Sequence, residues 1–198
     1  MLRRRLTPLG VAAIGVASDA GASGGMHYVF SSRHGESTRT LRLLLSLARN
    51  ETMSPADFSL SVHNASAGLL SISTGARSGH TAIAAGADSF AAGLIEALAQ
   101  LRVAPFVPVL LVYFDEALPV PLNEIDTLSM DGLALAVLLG DPADHHDAMR
   151  VTIVPEPDAL PRATTAQAED FVRFLAGSDS FGYSPGGRMR LEWRRADA

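Results

Sequence analysis

The first side chain that could perform chemistry is the Ser89 hydroxyl. It lies in Gly86-Ala87-Asp88-Ser89-Phe90, where a strand is expected to turn sharply into a helix. Such a turn lifts a side chain beside backbone N–H donors and a helix N-terminus, which suits an exposed nucleophile. The segment is not Gly-x-Ser-x-Gly, and a serine that opens a helix more often caps it. A structural role is therefore predicted for Ser89.

Carboxylates and histidines form two further candidate sites. Asp115-Glu116 closes an apolar strand, where a carboxylate could act as a general acid or base, but no substrate-binding side chain accompanies the pair. His145-His146 sits beside Asp141, Asp144 and Asp147, which invites a metal interpretation. Adjacent histidines diverge too far to chelate one ion easily, and no third ligand has a defined spacing. We therefore predict that Asp115-Glu116 is a polar strand end and that His145-His146 lies in a solvated loop. Neither a metal nor a cofactor is expected.

A third candidate is Arg33-His34-Gly35-Glu36, which follows the short strand that ends near Phe30. It resembles the signature of histidine phosphatases, in which the histidine is phosphorylated and the arginine clamps the phosphoryl group through its fork of N–H donors. The resemblance implies a second histidine followed by glycine, and the later histidines of this chain are not followed by glycine. Histidine phosphatase is kept as an alternative function.

The elements that must position these side chains alternate between helices and strands. Apolar periodicity and helix-start signals, including Ser54 as N-cap before Pro55, predict helices over Leu6–Ser18, Glu36–Asn50, Ser61–Thr74, Ser89–Arg102 and Thr165–Ala176. Apolar runs predict strands over Tyr28–Ser31, His80–Ala85, Val107–Phe114, Gly132–Leu139, Val151–Val154 and Arg188–Trp193. A Gly/Pro-rich turn region is predicted over Ser178–Gly187. Val107–Phe114 is apolar on both faces, so the pattern predicts an α/β fold with helices on each side of a sheet.

The helix Glu36–Asn50 is amphipathic. Its apolar face is formed by Leu41, Leu44, Leu45 and Ala48. Arg39, Arg42 and Arg49 are therefore expected to face water or a partner.

Composition excludes several classes of chemistry. The 198 residues include no cysteine, and all 16 basic residues are arginine, so disulfides, thiolate metal sites, Schiff-base chemistry and a P-loop lysine are absent. The net charge of -5 disfavours binding to nucleic acid. Arg3-Arg4-Arg5 before an apolar stretch is reminiscent of a signal peptide, but Pro8, Gly10 and Gly15 interrupt that stretch, and a cytoplasmic protein without a membrane span is predicted.

The amino-acid sequence of two longer segments resembles that of the ketosynthase (thiolase-like) family. These are Ser54–Gly75, which contains Ser61-Val62-His63-Asn64-Ala65, and Ser78–Phe90 with the strand after it. In that family the turn after the strand carries the cysteine that takes the acyl chain, and the matching position here is Ala87. The resemblance also implies two histidines, or a histidine and an asparagine, from a second half that this chain is expected to lack.

Three short segments look closest to the chain-length-factor-like partners of aryl-polyene ketosynthases. They are Arg33-His34-Gly35-Glu36, Ser61-Val62-His63-Asn64-Ala65 and Val112-Tyr113-Phe114-Asp115-Glu116. The resemblance implies one thiolase-like half over residues 1–198, with a mixed β-sheet covered by helices and a weakly matched tail over residues 140–198. It further implies a catalytically inactive subunit that forms a heterodimer with a β-ketoacyl synthase and meets acyl carrier protein through that complex. A non-enzymatic interaction protein of another purpose is kept as an alternative.

A partner interface is expected on the small-residue helix Ser61–Gly75 and the strand His80–Ala85. The helix is rich in Ala, Ser and Gly, which suits close approach by another backbone, and in ketosynthases the strand before the elbow pairs across the dimer axis. For His63-Asn64, polarity alone predicts a satisfied buried pair. The residues expected at the interface are His63, Asn64, Ala67, Gly68, Ser71, His80, Ala82 and Ala84.

Overall fold

A computed structural model describes residues 5–126, 132–140, 148–156 and 165–196. The helices are α1 (Pro8–Asp19), α2 (Ser37–Ala48), α3 (Pro55–Ser59), α4 (Ala65–Thr74), α5 (Ser89–Val103) and α6 (Ala166–Ala176). The strands are β1 (His27–Ser31), β2 (His80–Ile83), β3 (Val109–Asp115), β4 (Leu133–Leu139), β5 (Met149–Pro155), β6 (Phe181–Pro185) and β7 (Met189–Arg195). His145 and His146, the candidate metal residues, lie outside the described residues.

Helix boundaries follow from capping chemistry. The Thr7 hydroxyl accepts from Gly10 N–H at 3.1 Å and Pro8 opens α1, since proline lacks an N–H that the first turn would leave unpaired. Ser54 caps α3 as predicted, accepting from Asp57 N–H at 3.2 Å. At the end of α4, Gly75 has φ +67°, a left-handed conformation that glycine adopts without strain.

The first sheet has the strand order β2-β1-β3-β4. β1 is parallel to β2 and β3, and β4 is antiparallel to β3. Every residue of β3 is buried, because α1 and α4 pack on one face of the sheet and α5 packs on the other. The predicted mixed sheet covered by helices is confirmed.

A second sheet has the order β5-β7-β6, with both pairs antiparallel. α5 and α6 lie between the two sheets, and aromatic rings connect the layers. Phe90 packs edge-on against Tyr113 at 5.6 Å between centroids and contacts Phe171, which in turn meets Trp193 edge-on at 5.4 Å. These ring pairs join both sheets into one core.

The structure corrects one predicted turn region and the predicted exposure of one arginine. Ser178–Gly187 was predicted as a turn region, but residues Phe181–Pro185 form β6. Arg39 was predicted to face water or a partner, yet it is 5% exposed and binds Glu36, Asp57 and the Arg5 carbonyl. Periodicity missed this because a helix end that faces other polar segments buries its charges in pairs. Among the helices of the described residues, none combines the length and the hydrophobicity that a membrane span requires.

Candidate functional site

The predicted elbow is present. β2 ends at Ile83, Gly86 turns the chain with φ +61°, one 3₁₀ turn spans Gly86–Asp88, and α5 begins at Ser89. Glycine serves this turn because L side chains rarely adopt a positive φ. The side chain at the elbow is the half-buried methyl group of Ala87. A methyl group can neither attack a carbonyl nor carry an acyl group.

The Ser89 hydroxyl has a structural role, as predicted. Ser89 is fully buried and lies in the first turn of α5. Its Oγ accepts from Ala85 N–H at 3.0 Å and donates to the Gly86 carbonyl at 2.7 Å. The hydroxyl therefore holds the elbow in shape and is not presented to a substrate.

Asp88 is a site residue that the sequence prediction missed. It is 4% exposed, and its carboxylate accepts from the backbone N–H groups of Gly187, Arg188 and Met189 at 2.8, 2.9 and 3.3 Å. A side chain at Gly187 would approach the Ala87 methyl to 3.4 Å. The turn between β6 and β7 therefore lies over the elbow, and the only available sequence signal was the Gly186-Gly187 pair.

The loop after β1 is organised around the buried carboxylate of Asp115. Arg33 N–H donates to Oδ2 at 2.8 Å, His34 N–H donates to Oδ1 at 3.4 Å, and the Ser32 hydroxyl donates to Oδ1 at 3.3 Å. Burial raises the pKa of the Asp115 carboxyl, while these hydrogen bonds oppose that rise. Burial likewise raises the pKa of the neighbouring Glu116 carboxyl. The predicted polar strand end is thus a hydrogen-bonded support for the loop.

The side chains of the loop are held by a second carboxylate. Arg33 Nη1 lies 2.6 Å from Asp126 Oδ2, and His34 Nε2 lies 3.1 Å from the same oxygen. A phosphatase would need that arginine for phosphate and that imidazole for the phosphoryl group. His27 and His80 begin their parallel strands and so lie at the other end of these strands. His63 contacts the loop, but its Nε2 is engaged by the Ser32 carbonyl. The histidine phosphatase alternative is not supported.

His63 contacts the same loop from α4's side. Its Nε2 lies 2.8 Å from the Ser32 carbonyl, and a Cβ at Gly35 would meet the His63 ring at 2.9 Å. Gly35 has φ +54°, so this glycine serves both the turn and the close approach of the ring. Asn64 is exposed, so the prediction of a buried His63-Asn64 pair is wrong for its second member.

The residues expected at a partner interface fall into two groups. β2 is an edge strand of its sheet in the described part of the chain, which leaves the outer side of His80 and Ala82 without a neighbouring strand. Ala84 is exposed, and a Cβ at Gly68 would meet nothing within 4 Å. Ala67 instead has no exposed surface and packs in the core beside α1, so its methyl group cannot contact a partner.

An apolar surface extends beyond the predicted interface. α2 contacts mainly the short α3 and leaves the stripe of its amphipathic face uncovered. We call this the α2–α3 surface, and its exposed apolar residues are Leu44, Leu45, Leu47, Met53, Phe58 and Val62. Three of these residues lie within one turn of α2, and grouped exposed apolar side chains are typical of protein interaction sites.

Across the described residues, no group of three or more His, Cys, Asp or Glu side chains is arranged to hold a metal ion.

Comparison with known proteins assigns most of this chain to a family. Residues 1–194 match the family model described as "Beta-ketoacyl synthase, N-terminal domain". The matched range includes the tail after residue 140. No protein with a curated description matches this sequence.

Two solved structures are similar to this chain. A chain of "Ketosynthase (ApeO) in Complex with its Chain Length Factor (ApeC) from Xenorhabdus doucetiae" shares 28% identity with a TM-score of 0.83, over 97% of this chain and 79% of that chain. "The ishigamide ketosynthase/chain length factor" shares 13% identity with a TM-score of 0.46, over 98% of this chain and 45% of that chain. The second likeness is too weak to carry an argument.

Proposed function

Because the chain belongs to the β-ketoacyl synthase N-terminal domain family, we propose that it is a catalytically silent, chain-length-factor-like subunit that pairs with an active ketosynthase. Its role is in aryl-polyene or related polyketide-type acyl chain assembly in the cytoplasm, where acyl carrier protein meets it through the complex. The likeness to a chain of a ketosynthase and chain length factor complex supports this pairing. Residues 1–198 act as one domain in this proposal.

The observation that carries the proposal is Ala87 at an otherwise intact elbow. The turn, the helix N-terminus and the preceding strand are all present, while the position of the nucleophile holds a methyl group. Ser89 cannot replace it, because its hydroxyl is buried and bonded on both sides. The sequence has no cysteine that could take the acyl group from elsewhere.

The edge of β2 and the exposed side of α4 are the surfaces that suit a partner. An unpaired strand edge offers backbone donors and acceptors to a second strand, and pairing would also protect it from aggregation. Gly68 and Ser71 add little side-chain bulk to the exposed side of α4, where Ile72 is the large exposed apolar side chain. The α2–α3 surface adds apolar area, whereas Ala67 is removed from the interface because the core of this chain buries it.

Co-expression with the cognate ketosynthase tests the pairing, and an acyl transfer assay tests the silence. We expect the two chains to purify as a heterodimer that condenses acyl and malonyl groups delivered on acyl carrier protein. The isolated chain should show no condensation and no acyl adduct by mass spectrometry. The isolated Ala87→Cys variant should still catalyse no condensation, since a thiol without acid–base partners cannot complete the reaction.

The two halves of the proposal fail separately. Failure of the chains to co-purify would contradict the pairing. A covalent acyl adduct on the isolated wild-type chain would contradict the silence.

A further inference from the structure

The second sheet is covered by helices on one face only in the described part of the chain. Its inner face buries Leu191 and Trp193, and Trp193 packs against Phe171 and Phe174 of α6. Side chains alternate between faces along a strand, so their neighbours point outward. The outer side chains include Arg150, Thr152, Phe181, Tyr183 and Arg194, all of them exposed, and we call this set the cationic face.

Two guanidinium groups of the cationic face are opposed. Arg150 and Arg194 are cross-strand partners in β5 and β7. Like charges directly opposite each other destabilise a sheet. Among the described residues, no carboxylate lies within ion-pair distance of either side chain.

The other arginines of β7 are engaged within the chain. Arg190 forms ion pairs with Glu156 at 3.2 Å and Glu192 at 2.8 Å. Glu192 lies within the cationic face, opposite Thr152 and Tyr183, so this ion pair neutralises the carboxylate of that face. Arg195 donates to the carbonyls of Phe174 and Gly177 at the end of α6. Arg194 is thus the exception on β7, because the other two arginines of this strand bind carboxylates or carbonyl groups.

Aromatic rings border the two cations. The Arg194 Cζ lies 5.2 Å from the centroid of the Phe181 ring, and Phe181 stacks on Tyr183 with 6.4 Å between centroids and 26° between ring planes. Phe181 is 42% exposed and Tyr183 is 60% exposed. Arginine and large aromatic residues are enriched at the centres of protein interfaces.

We propose that the cationic face docks an acidic surface of a second protein, with carboxylates opposite Arg150 and Arg194 and apolar side chains against Phe181 and Tyr183. An acidic occupant relieves the repulsion that the sheet otherwise carries. A nucleic acid is disfavoured, since phosphate backbones require a longer row of cations and this chain has a net charge of -5. This surface is separate from the edge of β2, so the inference does not depend on the proposed pairing with a ketosynthase.

Binding of a defined probe tests this inference. The probe is a labelled amphipathic helical peptide with Glu and Leu on one face, compared with the same peptide carrying Gln in place of each Glu. Fluorescence anisotropy with the full chain should show tighter binding of the Glu peptide, and the binding should weaken as ionic strength rises. Arg150→Glu should reduce the affinity by roughly tenfold or more, while Arg77→Glu, the same charge change on an exposed loop, should leave it unchanged.

A stability measurement separates a binding role from a structural one. Arg150→Glu places a carboxylate opposite Arg194, so its thermal midpoint should equal or exceed that of the wild type even though its affinity for the peptide is lower. Arg194→Gln provides a second variant with the same expected loss of binding. Equal affinity for the Glu and Gln peptides, equal affinity of Arg150→Glu and Arg77→Glu, or preferential binding of a single-stranded oligonucleotide would each overturn the proposal.

Discussion

At the elbow, the residue after Ala87 is a buried anion whose carboxylate serves the backbone of a distant turn. Asp88 accepts three N–H groups from residues 187–189, so one side chain ties the N-terminus of α5 to the β6–β7 turn. A carboxylate that accepts backbone N–H groups forms charge-assisted bonds, which are stronger than neutral ones. Asp88 thereby holds the β6–β7 turn in place over Ala87.

We expect Asp88→Ala to lower the free energy of unfolding by about 2 kcal/mol or more, because it leaves three backbone donors without their acceptor. Urea denaturation followed by circular dichroism measures the change. Asp179→Ala is the matched control, because Asp179 is exposed and its change should stay within about 0.5 kcal/mol. Equal effects of the two substitutions would contradict the assigned role.

Asp115 gives the chain a pH-dependent contribution to stability. Burial raises the pKa of its carboxyl above the ordinary value of 3.8, so the folded chain holds this proton more tightly than the unfolded chain does. As pH rises from 3.8 through the raised folded pKa, this group therefore lowers the stability of the folded state.

Asp115→Asn should remove that loss, so the slope of unfolding free energy against pH should become more positive in this window. The variant should also be less stable overall by about 1–3 kcal/mol, since Arg33 N–H and His34 N–H donate to different oxygens and the amide NH₂ would face one of these two donors. Urea titrations at a series of pH values measure both effects. A slope identical to that of the wild type would contradict the raised pKa.

At the scale of elements, close approach between α5 and the first sheet depends on one glycine. A Cβ at Gly93 would meet the Ser31 Cβ at 2.7 Å and the Leu111 Cδ1 at 3.0 Å. α5 lies between the two sheets, so it has no room to move outward. Gly68 in α4 is the opposite case, with open space where its side chain would be.

Gly93→Ala and Gly68→Ala form a matched pair, because each gains the higher helix propensity of alanine. Gly68→Ala should stabilise the isolated chain by about 0.5–1 kcal/mol. Gly93→Ala should be less stable than Gly68→Ala by about 1–3 kcal/mol, the cost of overpacking a core. Thermal or urea unfolding of both variants measures the difference, and equal stability would show that α5 can shift away from β1.

At the scale of the whole molecule, both edges of the first sheet and one face of the second remain open in the described part of the chain. The edge of β2 is the one that our proposed function assigns to the ketosynthase. Ser32 N–H donates to the Ile83 carbonyl at 3.1 Å, so Ile83 bonds toward β1. The backbone N–H and C=O groups of successive residues point to alternate sides of a strand. Those of Thr81 therefore also point toward β1, and those of Ala82 point toward the open side.

Ala82→Pro should therefore remove an outward N–H and block pairing with a partner strand while the internal ladder stays intact. We expect this variant to lose co-purification with the ketosynthase and to keep its circular dichroism spectrum. Thr81→Pro, one residue earlier, should instead destabilise the isolated chain, because it removes a bond to β1. Retained assembly of a folded Ala82→Pro variant would rule out pairing through this edge.

The sequence by itself predicted most of the elements, and a family resemblance predicted the elbow at Ala87. Apolar runs and caps placed α1, α5 and β3 to within a few residues, because these signals act locally along the chain. The resemblance to ketosynthases indicated that Ala87 occupies the position where that family has its nucleophile. The match to the family model agrees with that resemblance.

Tertiary structure alone decided which distant groups meet. β6 was hidden in a Gly/Pro-rich segment because its strand conformation comes from pairing with β7, which composition does not encode. Arg39 became buried since Glu36, Asp57 and the Arg5 carbonyl converge on it, and Asp88 found its donors about a hundred residues away in the chain. Such partners are set by the packing of the two sheets around α5 and α6, and periodicity along one element contains no information about them.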